Sequence, residues 1–85
     1  MASYKLLIKR SAAKELEKLP PKVRRRVASQ IDALGTTPRP PGVEKLSGQE
    51  KYRIRQGDYR VLYAIDDDAQ TVTVVKIGHR RDVYR

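Results

Sequence analysis

The chain of 85 residues carries 19 lysines and arginines against 10 aspartates and glutamates, a formal net charge of +9, and on so small a body that field favours a polyanionic partner: nucleic acid, ribosome, acidic protein or anionic membrane. The membrane is the weakest of these, because the basic residues oppose no wide aromatic, apolar helical face and no apolar run approaches the roughly 20 residues that cross a bilayer. Cysteine is absent, which excludes disulfides and thiolate metal sites and suits a reducing cytoplasm; the N-terminus lacks the basic, apolar and small-residue order of a signal peptide.

Residues 1–85 have the size of one small domain. Tyr4, Leu6 and Ile8 alternate with Lys5, Leu7 and Lys9, the pattern of a half-buried first strand. Ser11 is the N-cap candidate of a short helix whose Ala12, Leu16 and Leu19 form a core stripe. Pro20-Pro21 ends that helix, since proline removes a donor and restricts its predecessor. Pro21 then suits the first turn of a second helix, with Val23, Val27, Ile31 and Leu34 on one face and Gly35 as its stop. Lys22, Arg24, Arg25, Arg26 and Gln30 point elsewhere.

Thr36–Gly42 holds three prolines and a glycine and reads as a loop. Val43–Leu46 is a short strand or an irregular lead-in, broken at Ser47-Gly48. Tyr52–Ile65 reads as a hairpin about Gln56-Gly57-Asp58, with Gly57 where positive φ is needed. Arg60 starts a second strand apolar enough, over Val61–Ile65, to be buried on both faces. Asp66-Asp67-Asp68-Ala69-Gln70 makes the next turn, Thr71–Ile77 is a β-branched last strand, and Gly78 ends it before a basic tail, His79–Arg85. The predicted order is β-α-α-β-β-β, with room for one extra short strand. That is an α+β fold: an N-terminal strand, a helical hairpin and an antiparallel meander, with the helices packed on one sheet face.

Few catalytic sets are available. A serine triad would depend on the single His79, and Ser3, Ser11, Ser29 and Ser47 are better explained as caps, termini or loops. Asp66-Asp67-Asp68 lacks the longer, glycine-punctuated spacing of oxygen-ligand loops. Strand alternation instead sets Arg53 and Arg55 on one face, opposite Tyr52 and Ile54. Arg53, Arg55, Arg60, Arg80 and Tyr84 meet if the last strand lies beside the hairpin. Arginine forks onto phosphate oxygens, and RNA cleavage by its own 2′-hydroxyl passes through a phosphorane more negative than the diester. Preplaced cations therefore favour that transition state without metal, cofactor or protein nucleophile. A solvated hairpin in a basic protein accounts for the three hairpin arginines equally well. A lone histidine at a strand end is more often a solvent-facing or packing residue than a general acid, Tyr4, Tyr52 and Tyr63 most simply pack with their hydroxyls at the sheet edge, and Tyr59 is open between packing and stacking on a base. Arg24-Arg25-Arg26 is by default a solvated helix face, with ribosomal RNA contact as the alternative.

Tyr52-Arg53-Ile54-Arg55-Gln56-Gly57-Asp58-Tyr59-Arg60-Val61-Leu62-Tyr63, followed by Ile77-Gly78-His79-Arg80-Arg81-Asp82-Val83-Tyr84-Arg85, resembles the RelE family of toxin–antitoxin ribonucleases. The Leu19-Pro20 break and the Leu46-Ser47-Gly48 lead-in extend the resemblance over nearly the whole chain. It implies a metal-independent mRNA endonuclease that enters the ribosomal A site on the small subunit and is blocked by a cognate antitoxin. By the same resemblance, Arg53 and Arg55 stand where the best-known members have lysines, Arg60 and Arg80 match family arginines, and Tyr84 matches the catalytic tyrosine. Tyr84 is then expected to help activate the 2′-hydroxyl, Arg55 and Arg60 to stabilise the phosphorane, and Arg80 to assist the leaving 5′-oxygen. Arg53, Lys51, His79 and Arg81 are expected to contact RNA. No cofactor is implied. Since the chain ends at Arg85, the C-terminal helix of some members is expected to be missing. A partner follows: an acidic, partly disordered antitoxin segment that folds onto the cationic site and carries a DNA-binding part, so that operator DNA is reached only through the antitoxin. The rivals are a ParE-like inhibitor of DNA gyrase and a non-catalytic ribosome- or RNA-binding module.

Overall fold

In the computed structural model, which describes residues 3–46 and 50–83, β1 (Lys5–Ile8) runs almost directly into α1 (Arg10–Glu17). Lys9 is the residue between them and is still extended, at φ −62° and ψ 146°. Its N–H donates to the Val74 carbonyl at 3.0 Å, continuing the sheet, while its own carbonyl accepts the first helical bond from Ala13 at 2.9 Å. The helix boundary is therefore set by the end of the sheet. Ser11 lies inside the first turn, and the expected serine cap does not form.

α2 (Pro21–Leu34) starts at the two prolines as expected, with Pro21 at N1 and Arg24 N–H donating to the Pro20 carbonyl at 2.8 Å. Val27, Ile31 and Leu34 are buried along one face, joined by Ala12 of α1 and by Leu19 just past its end. Gly35 caps α2 where the chain passes close to the strand entry. Tyr4 N–H donates to its carbonyl at 2.7 Å, and a Cβ at position 35 would sit 3.3 Å from the Tyr4 carbonyl oxygen.

The remaining elements are β2 (Glu44–Lys45), β3 (Lys51–Gln56), β4 (Tyr59–Asp66), β5 (Thr71–His79) and a short helix α3 (Arg80–Val83). The sheet order is β1-β5-β4-β3-β2, so the last strand lies inside the sheet between β1 and β4, parallel to β1 and antiparallel to β4. The extra short strand is real and forms the edge beside β3. Gly57 takes φ +60° in the β3–β4 turn, a conformation that glycine adopts without steric cost.

Both helices cover one face, where Ile54, Val61 and Ile77 form one row across the strands and Tyr52 stacks on Tyr63 at 5.9 Å. Between Leu62 and Tyr63 the β4–β5 register shifts, which leaves Val75 as the bulge residue. Ile77 N–H donates to Glu15 Oε1 at 3.1 Å, fixing α1 to β5. On β4, Val61, Tyr63 and Ile65 are buried, whereas Leu62 and Ala64 on the other face are only partly covered. The expectation of burial on both faces fails because α1 and α2 pack on the opposite side. The basic tail also differs from expectation: β5 continues to His79, and Arg80 N–H donates to the Asp58 carbonyl at 2.7 Å, turning the chain into α3 against the hairpin.

The proline-rich loop is latched to the far end of the sheet. Arg39 donates to both Asp67 carboxylate oxygens, at 3.2 and 2.9 Å, and to the Tyr52 hydroxyl at 3.0 Å. Tyr4 donates to Asp67 at 2.7 Å, Tyr52 to Glu50 at 3.0 Å and Tyr63 to the Pro38 carbonyl at 2.7 Å. Tyr4 and Tyr52 thus carry their hydroxyls to the sheet margin, whereas Tyr63 is fully buried, its hydroxyl covered by the proline-rich loop.

Candidate phosphate-binding site

Strand alternation places Lys51, Arg53 and Arg55 of β3 on the face away from α1 and α2. Register then selects their neighbours: Arg53 lies opposite Leu62, Arg55 opposite Arg60, and Arg60 opposite Gly78. Like charges directly opposite each other are destabilising, so this part of the sheet requires negative charge from elsewhere. Part of it comes from β2, where Glu44 lies opposite Arg53. Arg53 Nη2 donates to Glu44 Oε2, and Arg55 Nη2 lies 3.2 Å from Glu44 Oε1. The Arg53 hydrogen bond, with the charges of Arg53, Arg55 and Arg60, holds the Glu44 carboxyl below its ordinary value against the opposing effect of burial.

Arg60 is different. It is only 8% exposed, and its Nη1 donates to the Gly57 and Tyr59 carbonyls at 3.0 and 3.1 Å. Among the described residues no carboxylate lies within ion-pair distance of Arg60 or Arg80. Burial first, and then the like charges of Arg55, Arg53 and Arg80, hold the Arg60 guanidinium below its ordinary value, with Asp58 opposing. Arg60 is thus a cation fixed by the backbone beside other cations and largely stripped of water. An anion arriving there relieves both penalties at once.

Arg80 opens α3 beside the hairpin turn and is exposed, as is Arg81. His79 faces the other side of the sheet. It is the register partner of Tyr59, meets that ring edge-on at 5.6 Å, and its Nδ1 accepts from the Arg81 N–H at 3.3 Å. The two rings help line an open cleft of about 350 Å³ with Glu15, Lys18, Leu19, Pro20, Ile77 and Gly78. The structure thus brings Arg53, Arg55, Arg60 and Arg80 together and leaves His79 behind the sheet. Tyr84 lies outside the described residues. Glu44 was missed in the sequence; its signal was the position opposite Arg53 that follows once Val43–Leu46 is paired antiparallel with the hairpin.

The aspartates of the β4–β5 turn have other partners: Asp66 Oδ1 accepts from Ala69 N–H at 3.0 Å, and Asp67 belongs to the Arg39 latch. No helix is long and apolar enough to cross a membrane among the described residues.

Fold and site together define a small basic α+β protein that gathers arginines on the sheet face away from α1 and α2. The model of the family described as ParE toxin of the type II toxin–antitoxin system, parDE, matches residues 6–84. Toxin RelG of Mycobacterium tuberculosis is 36% identical over 87 residues, spanning 96% of this chain and 97% of that protein. The archaeal RelE–RelB complex from Pyrococcus horikoshii aligns with a TM-score of 0.84 at 31% identity, covering 94% of this chain and 98% of that one. The isolated E. coli RelE toxin aligns at 0.80 and 30% identity, covering 96% and 92%. The chain belongs to the RelE family of type II toxin–antitoxin toxins.

Proposed function

We propose that this toxin is a ribosome-dependent mRNA endonuclease, acting as one toxin domain over residues 1–85, that cuts the codon in the A site by attack of the 2′-hydroxyl on the adjacent phosphate. The observation that carries this reading is Arg60, a buried cation without a carboxylate partner among the described residues, flanked by Arg53, Arg55 and Arg80. The phosphorane carries more negative charge than the diester, so a preset cluster stabilises it more than the substrate. Arg55 and Arg60 face the phosphorane oxygens, Arg80 the leaving 5′-oxygen, and Tyr84 the 2′-hydroxyl. Arg53, Lys51, Arg81 and His79 hold the neighbouring RNA, His79 from the opposite side of the sheet end. The reaction takes place in the cytoplasm, on the ribosome, and requires neither metal nor cofactor.

A cognate antitoxin completes the reading. The Pyrococcus horikoshii relative was solved with RelB, and the charge of +9 here suits an acidic segment that folds over the arginines. Its DNA-binding part would bring the pair to operator DNA. The test is to map mRNA 5′ ends in a translation reaction with and without ribosomes, using wild-type chain, Arg80→Ala and Tyr84→Phe. New ends only with ribosomes and wild-type chain are expected; unchanged cleavage by both variants overturns the site. The ParE description of the matching family model supports a second reading, a toxin that binds DNA gyrase. DNA damage with intact mRNA on expression distinguishes it.

A further inference from the structure

We propose that Glu44 is a built-in counter-ion of the phosphate site, an internal carboxylate that an RNA phosphate must displace from Arg53 and Arg55. Its geometry is that of a stand-in anion. The two oxygens of one carboxylate reach two different guanidiniums, Oε2 to Arg53 and Oε1 to Arg55 at 3.2 Å, and the same guanidinium edges fork onto phosphate oxygens. The Glu44 carboxyl is also held below its ordinary value, first by the Arg53 bond, so it is ionised at neutral pH.

The hold is suited to release. Glu44 sits on a strand of two residues at the sheet edge, paired among the described residues with β3 alone. Its side chain is 43% exposed and that of Arg55 is 60% exposed, so water and salt already weaken the contact. Arg60 and Arg80, by contrast, have no carboxylate partner among the described residues. The cluster is therefore divided into a standing part, Arg60 with Arg80, and a latched part, Arg53 with Arg55. A phosphate that reaches Arg60 finds Arg55 directly across the strands, and gains it only by exchange with Glu44. A single small anion has little to set against that exchange. A phosphodiester chain engaging several cations together has more, so Glu44 selects for a polyanion. That the polyanion is RNA rests on the proposed function; the counter-ion role itself does not.

The test uses the purified chain and a single-stranded oligoribonucleotide with 2′-O-methyl sugars, which it cannot cleave by 2′-hydroxyl attack. Glu44→Gln keeps the side-chain shape and removes the charge. It is expected to tighten Kd about three- to tenfold at low salt and to steepen the dependence of log K on log salt by about 0.7, one further counter-ion for a single strand. A Kd that is unchanged or weaker, with the same slope, overturns the proposal and leaves Glu44 as a tether of β2. A second measurement needs no variant: carboxyl NMR titration of Glu44 in the wild-type chain, free and with the oligonucleotide. The carboxyl pKa is expected to rise on binding, because the arginines are taken from it; an unchanged value overturns the exchange. Absence of ribosomal mRNA cleavage with both results intact would count against the endonuclease reading alone.

Discussion

Arg60 occupies a position that the fold alone does not favour. Its guanidinium is buried, bonded to carbonyls of its own hairpin turn, and surrounded by Arg53, Arg55 and Arg80. Desolvating a charge without an opposite charge costs free energy, whereas an apolar chain of similar length fills the same place without that penalty. Arg60→Met is therefore expected to stabilise the protein by on the order of 1 kcal/mol, a rise in Tm of about 4–8 °C for a chain of this size. On the proposed function, the same variant should lose at least about 100-fold in cleavage, since it removes a preset charge from the phosphorane. Thermal unfolding and mRNA-end mapping on one preparation check both; a lower Tm would show that the two carbonyl bonds outweigh the repulsion. From the sequence, the face of Arg53 and Arg55 was legible because strand alternation is strict. The burial of Arg60 was not, because it depends on how the side chain folds back over its own turn. Nor was Glu44's part in the cluster, since that required the pairing of a two-residue strand.

At the level of elements, the helical hairpin and the meander were readable because Pro20-Pro21, Gly35 and Gly57 act through local backbone geometry. Ser11 misled because a cap is decided by where the preceding strand lets go, and Lys9 is still bonded to Val74. Ser11→Ala is accordingly expected to change stability by less than about 0.5 kcal/mol, against about 1 kcal/mol for a true N-cap; urea unfolding separates the two. The β1–β5 parallel pairing was equally hidden, since it joins the ends of the chain. The Arg39 latch gives the far end of the sheet a pH dependence. Bonds from Arg39 and then Tyr4 hold the Asp67 carboxyl below its ordinary value, and the Tyr52 bond does the same for Glu50. A carboxyl depressed in the folded state contributes stability above its unfolded pKa, about 3.9 for aspartate, and loses it as pH falls toward the lower folded value. Asp67→Asn should therefore lower stability at neutral pH and flatten its decline below about pH 4. A parallel decline in both proteins, followed by urea midpoints across that range, would exclude the latch as the source.

For the whole molecule, the consequence of the topology is a separation of charge along the sheet. Arg60 and Asp66 stand near opposite ends of β4, six residues apart, so the arginine cluster and the acidic end with Glu50, Asp66, Asp67 and Asp68 lie about 20 Å apart at the rise of a strand. The net charge of +9 was legible from composition, but not this segregation, because it follows from which strands are neighbours. A separation of about 20 Å exceeds the Debye length of about 8 Å at physiological salt and falls within the roughly 30 Å at 0.01 M. On the proposed function, the acidic end should therefore be almost invisible to an RNA phosphate at the arginines at physiological salt, and visible in dilute buffer. Neutralising it with Asp66→Asn and Asp68→Asn is expected to leave the Kd of an uncleavable oligoribonucleotide within about twofold at physiological salt and to tighten it at 0.01 M. Arg55→Ala or Arg80→Ala should instead weaken binding at both salts and reduce the slope of log K against log salt by about 0.7 each. Equal effects from the two ends at physiological salt would mean that RNA lies along the sheet rather than at its arginine end.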